Sequence, residues 1–200
     1  MAPSSPTRSP PRTPPEFHVV GTFAGAPATE LDIILKAGPA IPAAAGFVMM
    51  TVGGFQAAYP EANPSGILTA KGLKMLPLID KGCVGQVIGA FASSKGLYQP
   101  TADWAPIWLK LAIQNTPGHV RTADPILIVH SKQDGTVPVA LSHILAVRMC
   151  GLHQVVERVV LNKGQSHVAA APDAYALAFT WLQARFAGLP VKATCPIPPD

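Results

Sequence analysis

The chain has 200 residues, of which 48% are apolar and 13% are charged, and its formal net charge is +4. This length suits one domain with a hydrophobic core, and the composition excludes a wholly disordered chain. Since no cluster of lysines and arginines is interleaved with aromatic residues, we expect no nucleic-acid partner. No apolar run is long enough to cross a membrane. The low charge, with 22 prolines and 17 glycines, predicts a loop-rich and nearly neutral surface.

The N-terminal segment differs in composition from the rest of the chain. Proline, serine, threonine and arginine dominate residues 1–15, which contain no side chain that could anchor a core. This composition predicts a disordered leader. The segment lacks the apolar stretch and the small-residue cleavage site of a secretory signal peptide. Residues 16–200 are therefore predicted to form the folded domain.

The first half of the domain begins with one strand pattern and continues with helices. Residues 17–27 have strand character, residues 28–36 predict a short helix, and residues 40–59 predict a mostly apolar helical region. Residues 60–115 depart from strand–helix alternation and contain several short helical patterns. An insertion of this kind is typical of a cap or lid over a binding site, although its apolar residues suit a simple core equally well.

The second half alternates strands and helices. Residues 125–130 are a continuous apolar run, as a buried parallel strand requires. A helical pattern covers residues 138–151, and a less regular strand follows over residues 155–161, with two charged residues that suggest a sheet edge. Asp173 is the predicted N-cap of a last helix, after which a proline-rich coil ends the chain. This spacing predicts parallel strands joined by crossover helices, and hence an α/β fold.

Each of these two strands is followed by one side chain with catalytic potential. Asp134 lies in the polar loop after the first strand, and His167 lies in the loop after the second. The carboxyl ends of neighbouring parallel strands meet at one edge of a sheet, where α/β proteins gather their functional groups. An Asp and then a His in such loops form the second half of the Ser…Asp…His order of α/β-hydrolases. Taken singly, Asp134 is also explained by an Asp-Gly turn, and His167 by a surface loop.

The nucleophile of that order is missing from the sequence. No Gly-x-Ser-x-Gly motif occurs in the 200 residues. Ser131 lacks flanking glycines and is expected to lie beside Asp134, while Ser166 adjoins His167 on the same loop. Cys83 stands in a Lys-Gly-Cys-Val-Gly segment that half resembles a cysteine elbow, but no strand precedes it. A cysteine-dependent hydrolase using Cys83 remains an alternative.

Several of these features together resemble one enzyme family. They are the strand 125–130, Asp134-Gly-Thr-Val-Pro138, Cys150-Gly151, Ser166-His167, and the last helix with its closing Cys195. With these residues the chain resembles the secretory lipase family of α/β-hydrolases, whose members are similar to Candida antarctica lipase A. The resemblance covers about residues 17–196. It implies a partial α/β-hydrolase fold with a helical cap insertion at residues 60–115.

The resemblance also implies roles for individual residues. Asp134 takes the role of the acid that orients the imidazole, and His167 takes the role of the base. The three cysteines could be free thiols of a cytosolic protein, but the family pattern implies a disulfide between Cys150 and Cys195. Cys83 then has no partner in this chain. The implied location is the cell envelope or outside the cell.

The implied activity is the hydrolysis of lipid or other carboxylic esters, without cofactor or metal. The family's nucleophile elbow would precede residue 17, so the chain alone is expected to be inactive and to represent the C-terminal half of such an enzyme. A sheet without its central strands is expected to expose an apolar edge and to self-associate. The alternative function is a non-catalytic module that binds lipids or acyl chains.

Overall fold

The computed structural model describes residues 17–200, so the predicted disordered leader at residues 1–15 lies outside the described residues. Three parallel strands form one sheet in the order β1 (Thr22–Gly25), β2 (Ile126–Ser131) and β3 (Val156–Leu161). Thr22 lies opposite Ile126, which in turn lies opposite Val156. The predicted α/β class and the parallel strands are confirmed.

Helices fill the connections between the strands and follow the last of them. They are α1 (Leu31–Ala37), α2 (Pro42–Ala58), α3 (Ala70–Met75), α4 (Val84–Ala92), α5 (Pro106–Asn115), α6 (Val139–Gly151) and α7 (Ala171–Phe186). The first five lie between β1 and β2, while α6 connects β2 to β3. Over residues 17–200 no helix has the length and apolar character needed to cross a membrane.

Strand β2 organises three layers because its side chains alternate between the two faces of the sheet. Leu127 and Val129 pack against α7, whose Trp181 belongs to the same cluster of buried side chains. Ile128 packs on the opposite face against Leu145 of α6. Each such buried aliphatic side chain stabilises the fold by roughly 1.5–3 kcal/mol. The sheet is therefore covered on both faces, which explains the continuous apolar run of β2.

The helices α1 to α5 share a second core. Its fully buried members include Leu35, Val48, Met49, Phe91, Trp108 and Leu111. Gly46 lets α2 approach α4 closely, because a Cβ there would lie 2.8 Å from the Cα of Ile88. The predicted insertion at residues 60–115 thus packs together with α1 and α2 as one helical part. Its function as a lid stays a prediction.

The helical part is joined to the sheet layers through the start of α1. The hydroxyl of Thr29 donates to the carbonyl of Leu141 in α6 over 3.0 Å. Both carboxylate oxygens of Glu30 lie 2.6 Å from Nη2 of Arg148, also in α6. Glu30 has a φ of 57°, a left-handed conformation that is costly for this residue type and that these contacts hold in place.

The C-terminal tail runs along the outer edge of β3. Cys150 at the end of α6 and Cys195 in the tail form a disulfide with an S–S distance of 2.04 Å. The backbone N–H of Thr194 donates to Val156 over 2.9 Å, and the N–H of Arg158 donates to the Thr194 hydroxyl over 2.9 Å. The predicted cysteine pairing is present, and β3 lies at the end of the described sheet, as its charged residues suggested.

Two local predictions differ from the structure. The strand predicted over residues 17–27 is only four residues long, because Ala26 turns the backbone to a φ of 42° and Pro27 follows. Asp173 as an N-cap is wrong, since α7 begins at Ala171 and Ala170 is its N-cap. Asp173 lies within the first turn, where its carboxylate accepts hydrogen bonds from the loop that precedes the helix.

Candidate active site

Asp134 is buried at the carboxyl end of the sheet and its carboxylate is fully engaged. The loop after β2 folds back so that Oδ1 accepts hydrogen bonds from the backbone N–H groups of Thr136 and Val137, each over 2.8 Å. This turn is the Asp-Gly geometry that the sequence suggested. The other oxygen, Oδ2, points toward the loop after β3.

The hydrogen bonds decide the charge of Asp134. Burial is the largest single effect and opposes ionisation, but the hydrogen bonds from Val137, His167 and Thr136 together outweigh it and lower the pKa of Asp134. The side chain is therefore a carboxylate at neutral pH. A buried carboxylate with both oxygens bound is held in one orientation.

His167, in the loop after β3, lies next to that carboxylate. Its Nδ1 lies 2.6 Å from Oδ2 of Asp134. Because a carboxylate only accepts hydrogen bonds, this contact assigns the proton to Nδ1 and the lone pair to Nε2. About one third of the side chain is exposed, and Nε2 forms no hydrogen bond with the described residues. The imidazole is thus oriented from one side and accessible from the other.

The loop that carries His167 is fastened at two points. The Ser131 hydroxyl at the end of β2 donates to the Gln165 carbonyl over 2.5 Å. The Gln165 side-chain amide donates to Asp173 over 3.0 Å, and Lys163 donates to the same carboxylate oxygen over 2.7 Å. These bonds connect the loop to β2 on one side and to α7 on the other. They hold His167 against Asp134 without contacting the His167 ring or the Asp134 carboxylate.

A second histidine, in strand β2, lies next to the same carboxylate. His130 is 1% exposed, and its Nε2 lies 2.9 Å from the Val137 carbonyl oxygen and 3.2 Å from Oδ2 of Asp134. Sequence reasoning placed His130 in the strand and assigned it no role. The signal available in the sequence was a polar residue in an otherwise apolar strand, four residues before an Asp.

The alternative nucleophiles are placed elsewhere or are already engaged. Ser131 is buried and donates to Gln165. Ser166 is exposed in the loop just before His167, and Cys83 is an exposed free thiol at the start of α4. None of these side chains forms a hydrogen bond with His167 in the described structure. Among residues 17–200 no group of three or more His, Cys, Asp or Glu side chains is arranged to hold a metal.

Chemically, the arrangement is able to accept and release a proton. An imidazole whose Nδ1–H is held by a carboxylate can take a proton at Nε2, and the carboxylate stabilises the resulting cation. Consecutive parallel strands deliver both groups to one edge, as the sequence predicted. No described serine or cysteine side chain forms a hydrogen bond with His167.

The helical part contains a large open groove. Its volume is about 950 Å³. It lies between α2 and the segment after α3, and its lining includes Met50, Gly53, Leu73, Leu76, Pro77 and Ile79. The lining is mostly apolar and also includes the polar residues Gln56, Asn63 and Asp80. A groove of this size and character can accommodate an apolar chain.

Comparison with solved structures gives the same fold in larger proteins. Candida antarctica lipase A in its closed state matches with a TM-score of 0.76 at 22% identity, over 92% of this chain and 46% of that chain. A putative hydrolase of Legionella pneumophila matches with a TM-score of 0.68 at 16% identity, over 86% and 49%. The rice cell wall degrading esterase LipA of Xanthomonas oryzae matches with a TM-score of 0.60 at 16% identity, over 85% and 49%.

At these identities the structural likeness supports the fold alone, and the chain spans about half the length of each of these proteins. No curated protein sequence matches the chain significantly. The model of the secretory lipase family, in contrast, matches residues 7–193. Because this match extends over nearly the whole sequence, the chain belongs to the secretory lipase family.

Proposed function

We propose that this chain supplies the acid and the base of a Ser-His-Asp carboxylic-ester hydrolase, a triacylglycerol lipase or esterase that acts in lipid catabolism outside the cell. The observation that carries the proposal is the 2.6 Å contact between His167 Nδ1 and Oδ2 of a carboxylate whose other oxygen is held by two backbone amides. Membership of the secretory lipase family supports the substrate class and the location.

In the proposed reaction His167 acts as a general base and then as a general acid. Its Nε2 takes the proton of a serine hydroxyl as the oxygen attacks the ester carbonyl, and it returns that proton to the departing alcohol. Asp134 keeps the proton of the neutral imidazole on Nδ1 and stabilises the imidazolium. In the second half of the reaction, water gives its proton to Nε2 as its oxygen attacks the acyl group, and His167 returns that proton to the serine oxygen. No metal or cofactor takes part.

The serine of this mechanism is not among the 200 residues. Ser131, the serine nearest to Asp134 in the chain, donates its hydroxyl to Gln165 and is buried. The chain alone therefore lacks the nucleophile and the backbone amide that follows it. We expect it to hydrolyse no ester above background, because removing the nucleophile eliminates most of the rate enhancement of a triad.

A matched pair of proteins tests this proposal. The first is the purified chain, assayed on p-nitrophenyl butyrate and octanoate. The second is a fusion in which the Gly-x-Ser-x-Gly-bearing N-terminal half of another secretory lipase replaces residues 1–16. The proposal predicts turnover by the fusion that a fluorophosphonate blocks, and none by the chain. Fluorophosphonate-sensitive turnover by the chain alone would contradict it, as would a folded fusion that reacts with the fluorophosphonate and hydrolyses neither ester.

The open groove supports a second candidate function, the binding of lipids or acyl chains without catalysis. The groove has a volume of about 950 Å³ and a mostly apolar lining, and binding there requires no nucleophile. Titration of the chain with octanoic and palmitic acid, followed by tryptophan fluorescence, tests this candidate. Reversible, saturable binding by the chain together with an inactive fusion would favour it over the hydrolase. Replacing Leu73, the partly exposed leucine of the groove, by Asp should then abolish binding, whereas the same change at the exposed Val120 should not.

A further inference from the structure

His130 is an unusual residue for its position. It lies in β2, the most buried strand of the sheet, between Val129 and Ser131, and its side chain is inaccessible to solvent. A buried imidazole normally requires hydrogen bonds at both ring nitrogens. His130 Nδ1 has no partner in the described structure, so all of its polar contacts are made through Nε2.

The contacts of Nε2 connect His130 to the Asp134 carboxylate and to the backbone of Val137, which also binds that carboxylate. Nε2 lies 2.9 Å from the Val137 carbonyl oxygen, and the N–H of Val137 donates to Oδ1 of Asp134 over 2.8 Å. Nε2 also lies 3.2 Å from Oδ2 of Asp134. Since a carbonyl oxygen only accepts, Nε2 carries the proton and donates it to Val137, while the Asp134 carboxylate lies beside the same N–H group. The carboxylate oxygen next to Nε2, Oδ2, is the one that binds His167.

The surroundings keep this donor neutral. Burial, followed by the charge of the nearby Arg158, lowers the pKa of His130 against the opposing effects of Val137 and Asp134. Arg158 is itself fixed by the Asp200 carboxylate over 2.5 Å and by the Ser142 hydroxyl. A neutral donor can orient the carboxylate without neutralising its charge. A charged one would compete with His167 for Asp134.

We propose that His130 is a positioning residue for the acid–base pair: its Nε2–H, bound to the Val137 carbonyl and next to Oδ2, holds the Asp134 carboxylate at the point where it meets Nδ1 of His167. The inference rests on the proposed function of Asp134 and His167. The His130 side chain is inaccessible to solvent, so it acts through the Asp134 carboxylate and the loop that holds it. Its effect should therefore appear in the hydrogen bond of His167.

Three substitutions separate the donor from the shape of the side chain. His130→Gln retains an N–H donor close to the position of Nε2. His130→Asn places its donor near the position of Nδ1, away from Asp134. His130→Leu fills a similar volume without any donor. If the donor at Nε2 is what matters, only the Gln variant should behave like the unmodified chain.

The readout is the Nδ1–H proton of His167 in ¹⁵N-labelled full chain at pH 7, observed by NMR, with circular dichroism to verify folding. We expect a low-field Nδ1–H resonance in the unmodified chain and in His130→Gln. In His130→Asn and His130→Leu this proton should be lost from the spectrum or exchange with solvent about tenfold faster or more, as expected for a weakened hydrogen bond to an ionised group.

The other outcomes are equally decisive. A resonance unchanged in all folded variants would overturn the inference even if their stability falls, because His130 would then serve packing alone. Loss of the resonance in a folded His130→Gln would also overturn it. If His130→Leu does not fold, the difference between the Gln and Asn variants decides, and no difference refutes the donor. Absence of the resonance from the unmodified chain would refute the proposed function itself, and the inference with it.

Discussion

Replacing Asp134 by Asn removes the charge from the centre of the proposed site while keeping its shape. The Asn oxygen can still accept from Thr136 and Val137, but its NH₂ group replaces Oδ2 opposite two nitrogens that carry protons, on His130 and His167. His167 can avoid the clash of two donors by moving its proton from Nδ1 to Nε2, but Nε2 then has no lone pair with which to accept a proton. His130 cannot, because the Val137 carbonyl needs its proton.

The expected loss of stability follows from these contacts. Three hydrogen bonds change from charged to neutral, and each such change costs about 1 kcal/mol. The smaller desolvation cost of a neutral amide offsets part of this sum. We therefore expect Asp134→Asn to lower the free energy of unfolding by about 2 kcal/mol. The exposed Asp103, changed to Asn as a control, should alter it by less than about 0.5 kcal/mol.

Urea unfolding, followed by tryptophan fluorescence, measures both variants. The pKa of folded Asp134 is lowered, so the stability that its ionised form provides is present above the usual Asp pKa of about 3.9 and is lost as the pH falls through the lowered value. The gap between the unmodified chain and Asp134→Asn should hence be smaller at pH 3 than at pH 5. A gap below about 0.5 kcal/mol at pH 7, or one that widens from pH 5 to pH 3, would refute the reasoning.

Three further predictions concern the fold. Removing the disulfide by Cys150→Ser should lower the free energy of unfolding by about 4 kcal/mol, because the bridge closes a loop of 45 residues. Mass spectrometry of a non-reduced digest should show the bridge in the unmodified chain, and free thiols at both positions would contradict it. Gly72→Ala should lower the free energy of unfolding by about 1–3 kcal/mol, since its Cβ would meet the backbone carbonyl of Leu97. Gly85→Ala, whose Cβ would point into open space, should raise it slightly. Equal effects of the two changes in urea unfolding would count against this packing. Self-association through the edge of β1 that pairs with no other strand among residues 17–200 should decrease in Thr22→Lys but not in the exposed control Thr101→Lys. Sedimentation velocity that shows a monomer in all three proteins would rule out that edge as an interface.

The second half of the fold could be predicted from the sequence because its signals are local and agree. The apolar run of β2, the helical patterns of α6 and α7, and the two polar loops each indicate their structure independently. Parallel topology then brings Asp134 and His167 to one edge without any knowledge of distant contacts. The disulfide came from the family resemblance, since spacing alone left the pairing open.

The parts that escaped prediction depend on contacts between distant segments. The position of α1 is fixed by Glu30 and Arg148, which are 118 residues apart and carry no motif. The hydroxyl of Ser131 and the imidazole of His130 are hidden within an apolar strand, and only the folded loops show what they bind. Asp173 was misplaced as a cap because a turn over residues 167–170 already starts the helix.

Kinetics of the active fusion test most directly whether Asp134 and His167 are the acid and base of an ester hydrolase. His167→Gln and Asp134→Asn should each lower kcat on p-nitrophenyl butyrate by about 10⁴-fold, while the surface change Asp103→Asn should leave kcat unaltered. If the fusion keeps its full kcat when His167 is replaced, the assignment of the base is wrong, and the pair at the sheet edge serves the fold alone.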